Sequence, residues 1–415
     1  MSKYKEQDFP AGFYWGAATA SYQVEGGIAN CDWAEAARAG KVPNAGRVAD
    51  HYNRYLEDFD IAKALGHNAH RFSIEWARIE PREGEFDEAE LEHYRQVLQA
   101  LQDRGIEPFI TLWHFTLPQW LADKGGFENE QTADLFARYA AKVVASFGDL
   151  GTFYSTLNEP NVYATHGYLY GAWPPFKRAK IAWKKIGKED GTSEKTQALA
   201  KFTHFFAYRR VERNLVRAHI AAYKAIKSVS PEAQVSVVKH VHVFDSDGGW
   251  VNKKLAVIAS YFQTDRYMSR VIDYCDLIGL NYYRNTRFGE SRNYLRSDMD
   301  WKVYPGGIFD ALVQLQKFNK PIFIAEAGIA DEDDDVRGQY ISVQIKAVAR
   351  ALAAGVDVRG HMYWSLLDNY EWALGTTKRF GLVSINYDTL EREIRPSAFV
   401  YKDLIEQYSK GKTSA

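Results

Sequence analysis

Eight short apolar runs, each followed by a longer helical pattern, constrain this chain more than any other feature. They are FYWGAATA (13–20), NAHRFSI (68–74), EPFITLW (107–113), TFYSTLN (152–158), AQVSVVKH (233–240), DLIGLNYY (276–283), PIFIAEA (321–327) and GHMYWSL (360–366). Runs of this length, bounded by turn residues, read as strands. The segments between them are amphipathic. In GQYISVQIKAVARALAAG, Ile341, Ile345, Val348, Ala349 and Leu352 recur at spacings of three and four and share one helical face. Gly105 and Gly355 follow such segments, where a helix-terminating glycine belongs. Strands alternating with helices imply parallel pairing, and eight repeats imply closure into an α/β fold of the (β/α)8 TIM-barrel type. An open doubly wound sheet is the main rival, but the turn after the first run lacks the G-x-G-x-x-G of a dinucleotide site. No linker rich in Pro, Gly or Ser divides the chain, so residues 1–415 are expected to form a single domain.

Composition narrows the function classes. A net charge of −1 offers no electrostatic case for nucleic acid. Aromatic residues make up 14% of the chain, with 11 Trp and 26 Tyr, which suits pockets that need both an apolar face and a hydrogen bond. Cys31 and Cys275 are too few for a disulfide framework, which points to a reducing compartment. The start MSKYKEQDFPAG lacks the apolar core of a signal peptide, and no apolar run approaches the roughly 20 residues that span a bilayer. The expectation is a soluble cytoplasmic protein that binds neither membrane nor nucleic acid. The basic stretch KRAKIAWKKIGK (177–188) reads as a solvated insertion after the fourth run, because its apolar face is too short for membrane binding.

In such a barrel, reactive groups sit at the C-terminal ends of the strands. Run one leads to Gln23 and Glu25, run two contains Arg71, and run three leads to His114. Run four ends in Asn158-Glu159-Pro160, run six carries Asn281, Tyr282 and Tyr283, run seven ends in Glu326, and run eight carries Trp364. Polar groups at so many strand ends converge on one mouth. Glu159 and Glu326 are a candidate pair for glycoside hydrolysis, in which one acid protonates the leaving oxygen and the other attacks or stabilises the anomeric carbon. His240 and His242 at the end of run five have the spacing of a metal pair. Too few His and Asp ligands stand at the other ends to complete a site, so no metal or organic cofactor is expected. The run DEDDD (331–335) lacks the internal glycine of a calcium loop and reads as a solvated loop leading into the next helix.

Across nearly the whole chain the sequence resembles glycoside hydrolase family 1, the β-glucosidase family. The resemblance rests on FYWGAATASYQVEGG, HYNRYLEDFDIAKALGHNAHRFSIEW, TLNEP, GLNYY and YWSLLDNYEWALGTTKRFGL, all in order. It implies a (β/α)8 catalytic domain with Glu159 as acid and then base and Glu326 as nucleophile. It further implies that Gln23, His114, Glu371 and Trp372 hold the glycone hydroxyls, Asn158 bonds the 2-hydroxyl, and Trp364 forms a sugar platform. Arg71, Asn281 and Tyr283 would support the nucleophile; a cation and a phenol beside a carboxylate favour its charged form. The implied activity is a retaining exo-β-glycosidase acting on small unphosphorylated β-glycosides or oligosaccharides, with glucose, galactose or fucose as the glycone.

The departure from the family pattern lies at the nucleophile, where AEAG stands for the usual TENG. Because alternate strand residues point to opposite faces, neither Ala325 nor Ala327 need point where Glu326 points. Two alternatives stay open. A 6-phospho-β-glycosidase is disfavoured because Glu371 would repel a phosphate where such relatives place Ser and Lys. A non-enzymatic sugar-binding barrel, suggested by AEAG, is disfavoured because both Glu are present. A thioglucosidase would lack the acid carboxylate, and transglycosylation would use the same residues.

Overall fold

The computed structural model describes residues 8–178, 194–290 and 294–409. Most of the basic stretch 177–188 lies outside these residues; at its start, Lys177 pairs with Glu128.

All eight runs become strands of one barrel: β1 (Tyr14–Ala18), β2 (Ala69–Ser73), β3 (Glu107–Trp113), β4 (Phe153–Asn158), β5 (Gln234–His240), β6 (Leu277–Tyr282), β7 (Ile322–Ala327) and β8 (Val358–Trp364). Each strand pairs in parallel with the next in the chain, and β8 pairs with β1 to close the ring. Closure leaves no sheet edge. Side chains alternate across the wall. Ala69, Phe109, Val238, Leu277, Phe323 and Met362 fill the interior. Ile110, Leu112, Val237, Ile278, Ile324 and Val358 meet the surrounding helices. Burying each of the larger aliphatic or aromatic side chains contributes roughly 1.5–3 kcal/mol. The interior narrows enough at β1 that a Cβ on Gly16 would lie 1.9 Å from the Ala69 carbonyl oxygen.

The outer helices follow their sequence signals. Helix Glu88–Asp103 starts at Asp87, whose carboxylate accepts from the amides of Ala89 (2.9 Å) and Glu90 (3.2 Å). Helix Arg337–Ala353 buries Ile341, Ile345, Val348 and Ala349. Gly105 (φ 64°) and Gly355 (φ 84°) take the left-handed conformation after these helices. The DEDDD loop is less exposed than its charge suggests. Asp331 is buried and accepts from the amides of Val336 and Arg337, so it fastens the start of helix Arg337–Ala353.

Two β-bulges break the alternation near the mouth; a third irregularity, between Val358 and Gly360, lies at the start of β8. Between β4 and β5, Ser155 pairs with Ser236 and Asn158 with Val238, so β4 carries one extra residue. Thr156 bonds His219 of helix Glu194–Val229 and Leu157 joins the outer core, which returns Asn158 to the interior. In β7 an extra residue falls after Ile324 in the pairing with both β6 and β8. The expectation drawn for Ala325 from strict alternation is therefore corrected. Ala325 packs in the interior cluster, on the same side as Glu326, while Ala327 belongs to the outer core. Bulges re-aim side chains in this way, and here they lie at the two strand ends that carry the candidate carboxylates.

Candidate active site

The C-terminal mouth holds a cavity of about 290 Å³ lined by Gln23, His114, Asn158, Glu159, Tyr283, Glu326, Trp364, Glu371 and Trp372, among others. Glu326 sits at the end of β7 and is only 4% exposed. Arg71, wholly buried inside the barrel, donates to Glu326 Oε1 and, at 2.8 Å, to Asn158 Oδ1. Its Nε donates to Thr111 Oγ1 at 3.0 Å, which fixes the plane of the guanidinium. The Tyr283 hydroxyl donates to Glu326 Oε2 at 2.7 Å. Both carboxylate oxygens are thus held by strong donors, as a charged carboxylate in a buried site requires. Tyr282, one residue earlier, points outward and donates to the Tyr304 carbonyl.

Glu159 follows the bulge of β4 and takes the left-handed conformation (φ 44°, ψ 54°) just before helix Pro160–Tyr168. A non-glycine residue there costs of order 1–3 kcal/mol, held by the strand before it and the proline-started helix after it. It is 7% exposed. The Asn281 amide donates to Glu159 Oε1 at 2.8 Å and to Asn158 Oδ1 at 3.2 Å. The expectation for Asn281 is thereby corrected: it is the strand partner of Glu326, but its amide serves Glu159. Burial, then the negative charge of Glu326, pushes the Glu159 carboxyl up to about 8. At neutral pH Glu159 thus holds a proton in the same cavity as Glu326.

The remaining expected groups form one wall. The Gln23 amide donates to Asn369 Oδ1 (3.0 Å) and to the Tyr370 carbonyl (2.8 Å), leaving Oε1 without a protein partner. His114 Nε2 meets the Asn158 amide at 3.3 Å, and its Nδ1 has no protein partner. Burial, then Arg71, pushes the His114 imidazole well below its usual range, so it is neutral. Its ring lies nearly parallel to Trp364 (5.9 Å) and Trp372 (6.0 Å). Glu371 is pushed up to about 8 by burial and then by Glu326, so at neutral pH its carboxyl both donates and accepts. Neutral donors and acceptors beside two indoles suit a polyhydroxylated ring.

Other groups stand elsewhere. Glu25 bonds Arg78 (2.9 Å) and Tyr94 (2.8 Å) and does not line the cavity. His240 lines it, whereas His242 bonds Thr286 Oγ1 at 2.8 Å, so the two histidines do not act as a pair. Among the described residues no group of three or more His, Cys, Asp or Glu stands ready to hold a metal ion. Sequence reasoning missed His166, Trp173, Arg284, Met299 and Trp301, which also line the cavity. They lie on loops and loop-borne helices without period, though Arg284 follows GLNYY directly.

The family model described as glycosyl hydrolase family 1 matches residues 5–248 and 251–410. β-Glucosidase A of Thermotoga maritima is 32% identical, over 96% of this chain and 98% of its own. A solved structure of the Thermotoga maritima β-glucosidase with deoxynojirimycin superposes with a TM-score of 0.85 at 30% identity, covering 97% of this chain and 99% of that one. The β-glycosidase from Pyrococcus horikoshii does so with a TM-score of 0.84 at 32% identity, covering 97% and 96%.

Proposed function

The chain belongs to glycosyl hydrolase family 1, and from that premise we propose that it is a retaining β-glycosidase, a β-glucosidase first, acting on terminal unphosphorylated β-glycosides. The reading treats residues 1–415 as one catalytic domain. The observation that carries it is the pair of buried carboxyls in opposite settings, Glu326 tied to Arg71 and Tyr283 and Glu159 raised to about 8.

In the first step Glu159 gives its proton to the glycosidic oxygen as the bond to the anomeric carbon breaks. Glu326 attacks that carbon from the opposite face and forms a glycosyl ester. The ester removes the charge that held the Glu159 proton, so Glu159 now accepts a proton from water. The resulting hydroxide attacks the anomeric carbon, Glu326 leaves as a carboxylate, and the sugar departs as the β-anomer. Asn158, tied to Arg71, His114 and Asn281, bonds the 2-hydroxyl on this reading. Gln23, His114, Glu371 and Trp372 take the other hydroxyls, and Trp364 the ring face. Glu371 has no cation paired with it among the described residues, which supports a neutral glycone over a 6-phosphorylated one.

Among the described residues no helix is long and apolar enough to cross a membrane. Cys31 and Cys275 are free and buried, which supports the reducing cytoplasm as location. A panel of aryl β-glucosides, galactosides, fucosides and 6-phosphoglucosides tests the substrate class. Turnover is expected for the first three, with proton NMR showing β-anomer first. Initial α-anomer, or turnover of the phosphorylated substrate alone, contradicts the reading.

A further inference from the structure

The two sides of the cavity differ in what their polar groups already hold. Gln23, His114, Trp364 and Glu371 come from the ends of β1, β3 and β8 and face the glycone on the proposed reading. The leaving group must lie on the side of the proton donor, Glu159. That side is built from the ends of β4, β5 and β6: helix Pro160–Tyr168 brings His166, β5 brings His240, and the residue after Tyr283 is Arg284.

Arg284 lines this outer part and is exposed at its rim. Among the described residues no carboxylate lies within ion-pair distance of it, whereas nearby Arg287 pairs with Asp245 (3.6 Å). The Arg284 guanidinium lies over the indole of Trp301, 5.3 Å from the ring centroid. Trp301 in turn meets Tyr283 (5.8 Å), the hydroxyl that bonds Glu326. Burial drives His240 and His166 below the usual imidazole range, with Arg284 adding to the effect on each, so they bring no second positive charge. Among the described residues the outer cavity therefore presents the Arg284 guanidinium without a paired carboxylate, lying over the Trp301 indole, and Met299 lines the same cavity.

A planar five-donor fork on an aromatic platform matches a carboxylate carried on a flat ring. From this placement we infer that the leaving-group side selects β-glycosides whose aglycone is an aromatic acid, its ring against Trp301 and its carboxylate on Arg284. The inference rests on the glycosidase reading. Glu159 does not oppose such an anion in the first step, because it enters that step protonated. Glu326, the other charge in the cavity, is already matched by Arg71 and Tyr283.

The test compares kcat/KM for 4-carboxyphenyl β-glucoside and for its methyl ester, in the unmodified enzyme, Arg284→Met and Arg284→Lys. Each substrate serves as its own reference, so the leaving-group difference cancels. A charge-assisted hydrogen bond at a partly exposed rim gives an expected loss of about tenfold for the acid in Arg284→Met, mainly in KM. The ester should change less than about twofold, the scale of a surface substitution. Arg284→Lys should keep part of the preference, and added salt should weaken it in the unmodified enzyme. Equal changes for acid and ester, or none for either, overturn the inference while ester turnover leaves the glycosidase reading intact. If the unmodified enzyme turns over no aryl β-glucoside, the glycosidase reading falls and takes this one with it.

Discussion

At the end of β7, Glu326 receives a guanidinium and a phenolic hydroxyl; at the end of β4, Glu159 receives one side-chain amide, and no cation pairs with it among the described residues. The side chains are identical, both follow a bulge, and both are nearly buried. The difference is in the donors, and it comes from the neighbouring strands. Arg71 reaches across from β2, whereas Asn281 leans from β6 toward β4. Identical side chains at two strand ends thus acquire two electrostatic settings, which is what a double displacement needs.

The comparison breaks most visibly at Glu326. Glu326→Ala is expected to lose roughly 10⁴-fold or more in kcat, the scale of a lost covalent nucleophile, and to regain part of it with added azide or formate. A folded variant without recovery would assign the attack elsewhere. Glu159→Gln should cost roughly 10²–10⁴-fold on alkyl glucosides, the range for general acid catalysis, and far less in the first step on aryl glucosides with good leaving groups. Equal losses on both would remove the acid role. Tyr283→Phe removes one donor from Glu326 and should lower kcat about tenfold, with KM little changed. A rise in KM alone would mean that Tyr283 serves the substrate instead.

The smallest effects are in pH. With Glu159 at about 8, kcat/KM should fall above that pH on the basic side. Glu326→Gln, observed by carboxyl-labelled NMR, should move the Glu159 titration downward, because the repelling charge is gone; no movement would deny the coupling. Glu159 and Glu371 are both raised from 4.5 to about 8 in the folded state. Between those values the folded protein binds more protons than the unfolded one. Their contribution to stability is therefore complete below pH 4.5 and lost as the pH rises through about 8. Urea unfolding at pH 5 and pH 8.5 should show this loss, and Glu371→Gln should flatten it.

The barrel was legible because eight apolar runs and their intervening amphipathic segments each state their own period. β7 is the clearest case, PIFIAEA leading straight into Glu326. The candidate carboxylates, Arg71 and Tyr283 were legible from strand ends and from motif. What escaped depends on register and loops. Nothing in TFYSTLN or PIFIAEA marks an extra residue, since Thr156-Leu157 and Ala325-Glu326 satisfy either alternation. The side on which Ala325 packs was misjudged for that reason. The partner of Asn281 was hidden by the same register, because a strand neighbour need not be the acceptor. Arg284 and Trp301 meet only through the loop after β6, and no spacing along the chain announces that contact.

On the proposed mechanism Glu326 bonds covalently to the sugar. Incubation with an activated 2-deoxy-2-fluoro-β-glucoside, whose electron-poor ring slows hydrolysis of the ester, followed by protease digestion and mass spectrometry, tests it directly. One added fluoroglucosyl group is expected on the peptide carrying Glu326, and none in Glu326→Ala. A label on any other residue, or full hydrolysis of ordinary aryl glucosides by a protein that never takes up the label, would contradict it.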